Sequence, residues 1–186
     1  MKKLILAMFT SVDGYIEGPN AEFVPPPWSA EVRQAWSEHN LSHAGHLIYG
    51  RVNFQFNKGH WTSAAAAGQP EAAIMNRLPK TVVSGTLSDD PGWNTTLIKN
   101  DLASAVEKLK RTVTNGDIYC FGGGGFAKSL MLENLVDEYY LMVMPKVVGG
   151  GKRLFDTGIP RIDLKLINSR RLDVGSMILH YGRVDA

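Results

Sequence analysis

Four consecutive glycines, Gly122 to Gly125, divide an otherwise apolar stretch, with Ile118-Tyr119-Cys120-Phe121 before them and Phe126, Leu130 and Met131 after. The run before the glycines reads as a strand, and the spacing after them as a short helix. A strand that feeds a helix through so tight a turn belongs to a layered β/α architecture. Without side chains the loop backbone can approach an anionic group closely. The helix N-terminus adds free N–H groups and partial positive charge. A plain flexible turn is the alternative reading. The glycines come late in the chain, unlike the usual dinucleotide fingerprint at a first βα turn.

Along the chain, Leu4 to Phe9 is a continuous apolar run, as expected of a strand covered on both faces. Thr10 to Asn20 carries Gly14, Gly18 and Pro19 and reads as a loop. Ser29 offers an N-cap to a helix running to about His43 and ending near Gly45. His46 to Tyr49, Lys80 to Ser84 and Thr95 to Lys99 read as short strands. Asn100-Asp101 caps a helix with Leu102, Val106, Leu109 and Val113 on one face. Glu138 to Met144 is a strand with few charges. Leu164 and Leu166 alternate with charged residues in a half-exposed strand, and Met177, Leu179 and Tyr181 form the inward set of the last one. Strands and helices alternate early and strands dominate late. The expected fold class is therefore α/β: a mixed sheet, parallel in its centre, with flanking helices and an antiparallel C-terminal hairpin.

A chain of 186 residues predicts one domain spanning 1–186. The net charge of +2 is too small to suggest nucleic acid as a partner. No stretch approaches the roughly twenty apolar residues that span a membrane. The opening MKKLILAMF stops too soon for a secretory leader, and a single cysteine, Cys120, makes no internal disulfide. A cytoplasmic protein is expected.

Three further places carry candidate chemistry. Gly50-Arg51 ends a strand and starts a helix through Val52, Asn53 and Phe54. An arginine fork there suits a phosphate, and an ordinary surface arginine is the alternative. Ser11-Val12-Asp13-Gly14-Tyr15-Ile16 mixes flexibility with apolar bulk, which suits a lid. His39 and His43 are four apart, but without further ligands or an H-E-x-x-H pattern no metal site is expected. Cys120, in an apolar strand, reads as core packing.

Taken in order, these pieces resemble the dihydrofolate-reductase-like superfamily, in particular the branch containing the C-terminal reductase domain of bacterial riboflavin biosynthesis. Ser11-Val12-Asp13-Gly14-Tyr15-Ile16 is similar to that family's S-x-D-G-x-I loop, Gly50-Arg51 to its G-R-x-T motif, Lys80 to Ser84 to the strand ending under adenosine, and Phe121 to Gly125 to the glycine loop under the diphosphate. Pro145 to Phe155 is similar to a stretch typical of the riboflavin-type branch. The resemblance covers almost the whole chain. It implies a central sheet of about eight strands and NADPH bound along one sheet edge. The implied cofactor contacts are Phe9, Ile16, Gly50, Arg51, Val52, Asn53, Val83, Ser84, Gly85, Phe121, Gly122, Gly123, Gly124, Gly125 and Phe126, with Arg51 on the 2′-phosphate and the nicotinamide near Phe9, Ile16 and Gly123. It also implies a homodimer, which the apolar Tyr139 to Met144 strand favours.

The chain departs from the pattern at three positions. Asn53 stands where the motif has Thr, and Gly85 follows Ser84 where many relatives carry Arg. Gln34 occupies the first-helix position at which true dihydrofolate reductases carry an acid, with Glu31 and Glu38 each about one turn away. The resulting expectation is an NADPH-dependent hydride transfer to a small heterocyclic substrate, pteridine- or pyrimidine-like, with poor activity on dihydrofolate. Asp13 or a bound water supplies the proton, and Trp28 and Gln34 line the substrate. Reduction of 5-amino-6-(5-phosphoribosylamino)uracil, or a non-catalytic nucleotide-binding role on the same fold, are the alternatives.

Overall fold

A computed structural model describes residues 1–87 and 90–184, apart from the side chain of Glu38. Strand β1 (Leu4–Ser11) is followed by the short β2 (Tyr15–Glu17). Helix α1 (Ala30–Arg33) passes through a π-helical turn (Gln34–Glu38) into α2 (His39–His43). Then come β3 (Ala44–Gly50), α3 (Arg51–Trp61), α4 (Pro70–Arg77), β4 (Lys80–Val83), β5 (Thr95–Ile98), α5 (Leu102–Thr112) and β6 (Asp117–Cys120). Helix α6 (Gly124–Leu132), β7 (Glu138–Met144), β8 (Lys152–Arg153), β9 (Leu164–Arg171) and β10 (Met177–Arg183) complete the chain.

Eight strands form one sheet in the order β5-β4-β3-β6-β1-β7-β10-β9. The first six run parallel, and β10 and β9 close one edge antiparallel, as the alternation along the sequence predicts. Strand β1 lies between β6 and β7 with helices on both faces, hence its unbroken apolar run. One face carries α1, α2, α3 and α4 over a cluster that includes Ile5, Trp36, Tyr49, Phe54 and Tyr140. The other carries α5 and α6 over Leu4, Leu6, Val106, Leu130 and Met131. Ser29 Oγ accepts from Val32 N at 3.0 Å and Asp101 Oδ1 from Ser104 N at 3.0 Å, so both expected caps form.

Several elements differ from the sequence reading. The loop after β1 contains β2, which pairs with β8 from the Pro145–Phe155 stretch in a separate two-stranded sheet. Helix α4 has Pro70 in its first turn and Glu71 beside it, a start signal obscured by the alanine-rich turns before it. In β10 it is Ile178 that is buried, because the face it shares with Trp36 and Tyr140 is the one the first helical stretch covers. Beyond β10 the cover ends, and seven of the eight β9 residues are exposed rather than alternate ones.

Lys80, the first residue of β4, is fully buried and has no carboxylate partner among the described residues. Its Nζ donates to Leu78 O at 2.6 Å and lies 4.2 Å from the centre of the Trp93 ring. Burial pushes its pKa down to about 8, below the free value of 10.5. The unfolded chain therefore binds a proton between these values that the folded chain does not, and stability rises with pH across that window. Lys80→Met should remove this rise and stabilise the protein at pH 7 by on the order of 1 kcal/mol. Urea unfolding of both proteins from pH 7 to 9.5 checks this: the stability difference should shrink as pH rises, and a pH-independent difference would contradict it.

Candidate functional site

The parallel part of the sheet has a topological switch point between β3 and β6. From β3 the chain leaves through α3 and α4 on one face to reach β4; from β6 it leaves through α6 on the other face to reach β7. The two helices therefore begin side by side at the carboxyl ends of neighbouring strands, where open α/β sheets hold ligands. Their contact depends on glycine. A Cβ on Gly50 would come within 2.8 Å of Phe126 Cβ, and one on Gly123 within 3.0 Å of Asn53 Cβ. Gly122 and Gly123 also have φ of +87° and +85°, in the left-handed region that favours glycine. Asn53 Nδ2 donates to Phe121 O at 2.7 Å and so ties α3 to the end of β6.

Arg51 opens α3 and is exposed, with Nη1 donating to Gln55 Oε1 at 3.3 Å; it forms no ion pair among the described residues. Val52, next to it, is also exposed. Gly125 faces open space in the first turn of α6, and Phe126 is half-buried against Gly50. Val83, Ser84 and Gly85 lie at the end of β4, one strand beyond β3. There the Ser84 hydroxyl accepts from Thr86 N and Leu87 N, both at 3.2 Å, and fixes the turn.

Beside the glycine turn, the segment after β1 folds over the start of α6. Ile16 is buried, and its Cδ1 would lie 2.4 Å from a Cβ on Gly124, with the Lys152 stem 3.1 Å from the same point. Strands β2 and β8 join these two residues in one strap. Asp13 anchors it. Its carboxylate accepts from Ser11 Oγ at 2.6 Å, Val148 N at 3.1 Å and Gly149 N at 2.8 Å. The Ser11 hydroxyl above all, with those amides, pulls its pKa down to about 2. The carboxylate is thereby held ionised at neutral pH, its oxygens accepting from the Ser11 hydroxyl and the two amides.

Phe9, near the end of β1, is the centre of an aromatic group. Trp36 lies 4.2 Å from its ring centre, Trp28 meets it nearly edge-on at 5.8 Å, and Phe23 lies 6.3 Å away. Trp36 was not singled out by the sequence reading, although Val32, Ala35 and Trp36 share the helical spacing of a buried stripe. That same phase turns Gln34 outward. Gln34 is exposed and lines a groove of about 680 Å³ with His39, Tyr140, Asn168, Arg170 and His180, on the flank formed by β9 and β10. Glu31 faces the same strands, accepting from Arg170 Nη2 at 2.8 Å and Asp173 N at 2.6 Å. The Glu38 side chain lies outside the described residues. Neither Gln34 nor Glu31 therefore stands with Phe9 and Trp28.

Cys120 is buried, and burial pushes its thiol up to about 12, so it is an inert core residue at neutral pH. The His39 and His43 rings lie 4.6 Å apart, tilted by 37°, and no group of three or more metal-ligating side chains occurs among the described residues. Nor is any helix among them long and apolar enough to cross a membrane.

A mixed sheet with two helix starts meeting at its switch point, under a strap from the first loop, is an α/β arrangement of the dihydrofolate-reductase-like kind. The particular family follows from comparison with known proteins. The RibD C-terminal domain model matches residues 2–178, and the chain belongs to that family. It is 27% identical over 182 residues to the uncharacterized protein YyaP of Bacillus subtilis, covering 97% of this chain and 94% of that one. Among solved structures, a Shewanella sp. PV-4 protein provisionally assigned to riboflavin biosynthesis superposes with a TM-score of 0.76 at 21% identity, with all of both chains covered. A pyrimidine reductase-like protein of Corynebacterium diphtheriae gives 0.68 at 14% identity, covering 100% of this chain and 93% of that one.

The helix contact makes a direct prediction. Gly50→Ala should destabilise the fold by about 1–3 kcal/mol, because the new methyl group meets the fixed Cβ of Phe126 rather than a movable side-chain tip. Gly125→Ala, with open space around it, should be close to neutral. Urea unfolding of the two variants checks the contrast, and equal stabilities would contradict it.

Proposed function

We propose that this protein is an NADPH-dependent reductase that passes hydride to a small, planar heterocyclic acceptor. The observation that carries the reading is the paired start of α3 and α6 at the switch point. It offers two sets of unsatisfied helix N–H groups and an arginine with no carboxylate partner beside a glycine cradle. A Cβ at Gly122 or Gly123 would meet Asn53, so the cradle keeps the bare-backbone shape that a diphosphate needs. Family membership and the pyrimidine reductase-like neighbour support a reductase.

In this reading Arg51 takes the 2′-phosphate of the cofactor, and Gly122 to Gly125 take the diphosphate through backbone N–H groups. Gly50, Val52, Asn53 and Phe126 shape the cleft between the helices, and Val83, Ser84 and Gly85 border the adenosine. The bound dinucleotide supplies the hydride. Phe9, Phe121 and Ile16 hold the reacting end against the sheet, and the β2–β8 strap excludes water over Gly124. Asp13 is a positioning residue that holds the strap through Val148 and Gly149. Water is the proton source, since the Asp13 carboxylate is held ionised by Ser11 and the strap amides. Gln34, on the far side of the first helix, has no part in the reaction.

Replacing Arg51 by Ala should weaken NADPH binding by about 1.5–3 kcal/mol, the worth of charge-assisted bonds to a phosphate, and leave NADH binding unchanged. Equilibrium titration of both cofactors with both proteins tests the assignment. Equal affinity of the wild type for NADPH and NADH would overturn it.

We also propose that two copies pair through the β9 edge. It is long and uncovered, with Leu166 and Ile167 about half exposed on opposite faces of the sheet. Sedimentation at micromolar concentration should show twice the chain mass of 20.5 kDa. Leu166→Lys with Ile167→Lys should return the protein to the single-chain mass, and a wild type that sediments as one chain would refute the pairing.

A further inference from the structure

We infer that the acceptor is an uncharged, planar aromatic ring system stacked against Trp28 and Phe23, not a ring carrying a sugar phosphate. The inference rests on the cofactor reading above and deepens it by naming the acceptor class.

Strand β1 lies next to β6 with Leu6 opposite Cys120, so Phe9 and the glycine turn both lie beyond this last pair, toward the same carboxyl end of the sheet. Trp36 covers Phe9 on the helix side, while Trp28 and Phe23 remain 48% and 55% exposed. The near-perpendicular setting of Trp28 against Phe9, at 87°, makes an open corner with aromatic walls. A flat ring can stack on one wall and meet the other edge-on, the two arrangements aromatic rings prefer. Val12 and Val147 extend the apolar rim. Both are largely exposed, and they are brought together by Val12 N donating to Lys146 O at 2.9 Å.

Three cations of this rim already have partners. Arg33 lies over the Trp28 ring at 5.6 Å and 3.7 Å from Glu71. Lys146 Nζ donates to Pro25 O at 2.8 Å, and Arg153 covers the Tyr15 ring at 4.8 Å. Lys152 lies over Gly124, on the glycine-turn side. A substrate phosphate needs an arginine or lysine that can turn to it with its fork or ammonium free. The corner offers aromatic faces instead, which suit a neutral ring.

The chemistry fits such an acceptor. A C–H bond of the dihydronicotinamide breaks, and its electron pair and hydrogen form a new bond on the acceptor. The nicotinamide is oxidised, and the acceptor is reduced by two electrons. A proton from water completes the reduced acceptor, so no enzyme acid is required. A quinone or a neutral fused heteroaromatic ring meets these terms.

The test is equilibrium binding to the full chain saturated with NADP+, which prevents turnover. Menadione is the uncharged planar probe, and uridine 5′-monophosphate is the probe carrying a ribose phosphate. Menadione should bind and uridine 5′-monophosphate should not. Trp28→Ala and Phe23→Ala should each weaken menadione about tenfold, and Trp28→Tyr should restore most of the loss. With NADPH in place of NADP+, one NADPH should be consumed per menadione reduced. Tighter binding of the nucleotide, or menadione affinity unchanged in both alanine variants, would overturn the inference. If NADP+ itself fails to bind, the cofactor reading falls and this inference with it. If NADP+ binds and menadione does not, the acceptor class alone is wrong.

Discussion

The site depends on how closely α3 and α6 start together. Neighbouring parallel strands are about 4.8 Å apart, so two helices leaving β3 and β6 on opposite faces bring their first turns nearly into contact. Side chains at the junction would force them apart. Gly50 against Phe126 and Gly123 against Asn53 remove that obstruction, and the Asn53 bond to Phe121 O then sets the spacing. The free N–H groups of both helix starts thus share one crevice, and their partial positive charges add.

The strap over this crevice is held by electrostatics of the opposite sign. Ionised Asp13 gathers amides from the Pro145–Phe155 stretch, and those bonds bring β8 alongside β2. Ile16 is thereby pressed toward Gly124, which has no side chain to resist it. Asp13 thus ties the loop after β1 to the Pro145–Phe155 stretch. Its depressed pKa is the signature of satisfied hydrogen bonds, not of a group prepared to exchange protons.

The sheet was largely legible in the sequence because its strands obey simple rules. Buried parallel strands such as Leu4–Ser11 and Glu138–Met144 are apolar throughout, and the caps at Ser29 and Asp101 are local hydrogen bonds. The glycine turn and Gly50-Arg51 were legible for the same reason, since each is a short backbone motif. What escaped depends on contacts between distant segments. The β2–β8 pairing joins residues far apart in sequence, and two-residue strands carry no periodicity of their own. The outward setting of Gln34 depends on helical phase: Val32, Ala35 and Trp36 take the core side, and counting along a motif does not report which way a residue faces. The exposure of β9 follows from where the helices stop, a property of the whole sheet.

The central claim is that one phosphorylated dinucleotide lies in the crevice shared by the two helix starts. Amides in the first turn of a helix have no intrahelical partner and exchange readily with solvent. Hydrogen–deuterium exchange with and without NADPH therefore addresses the claim most directly. The account predicts that the amides around Arg51 to Phe54 and those around Gly123 to Phe126 slow together when NADPH is added, while those of β9 do not change. Protection at only one helix start, or at neither with NADPH bound, would contradict it.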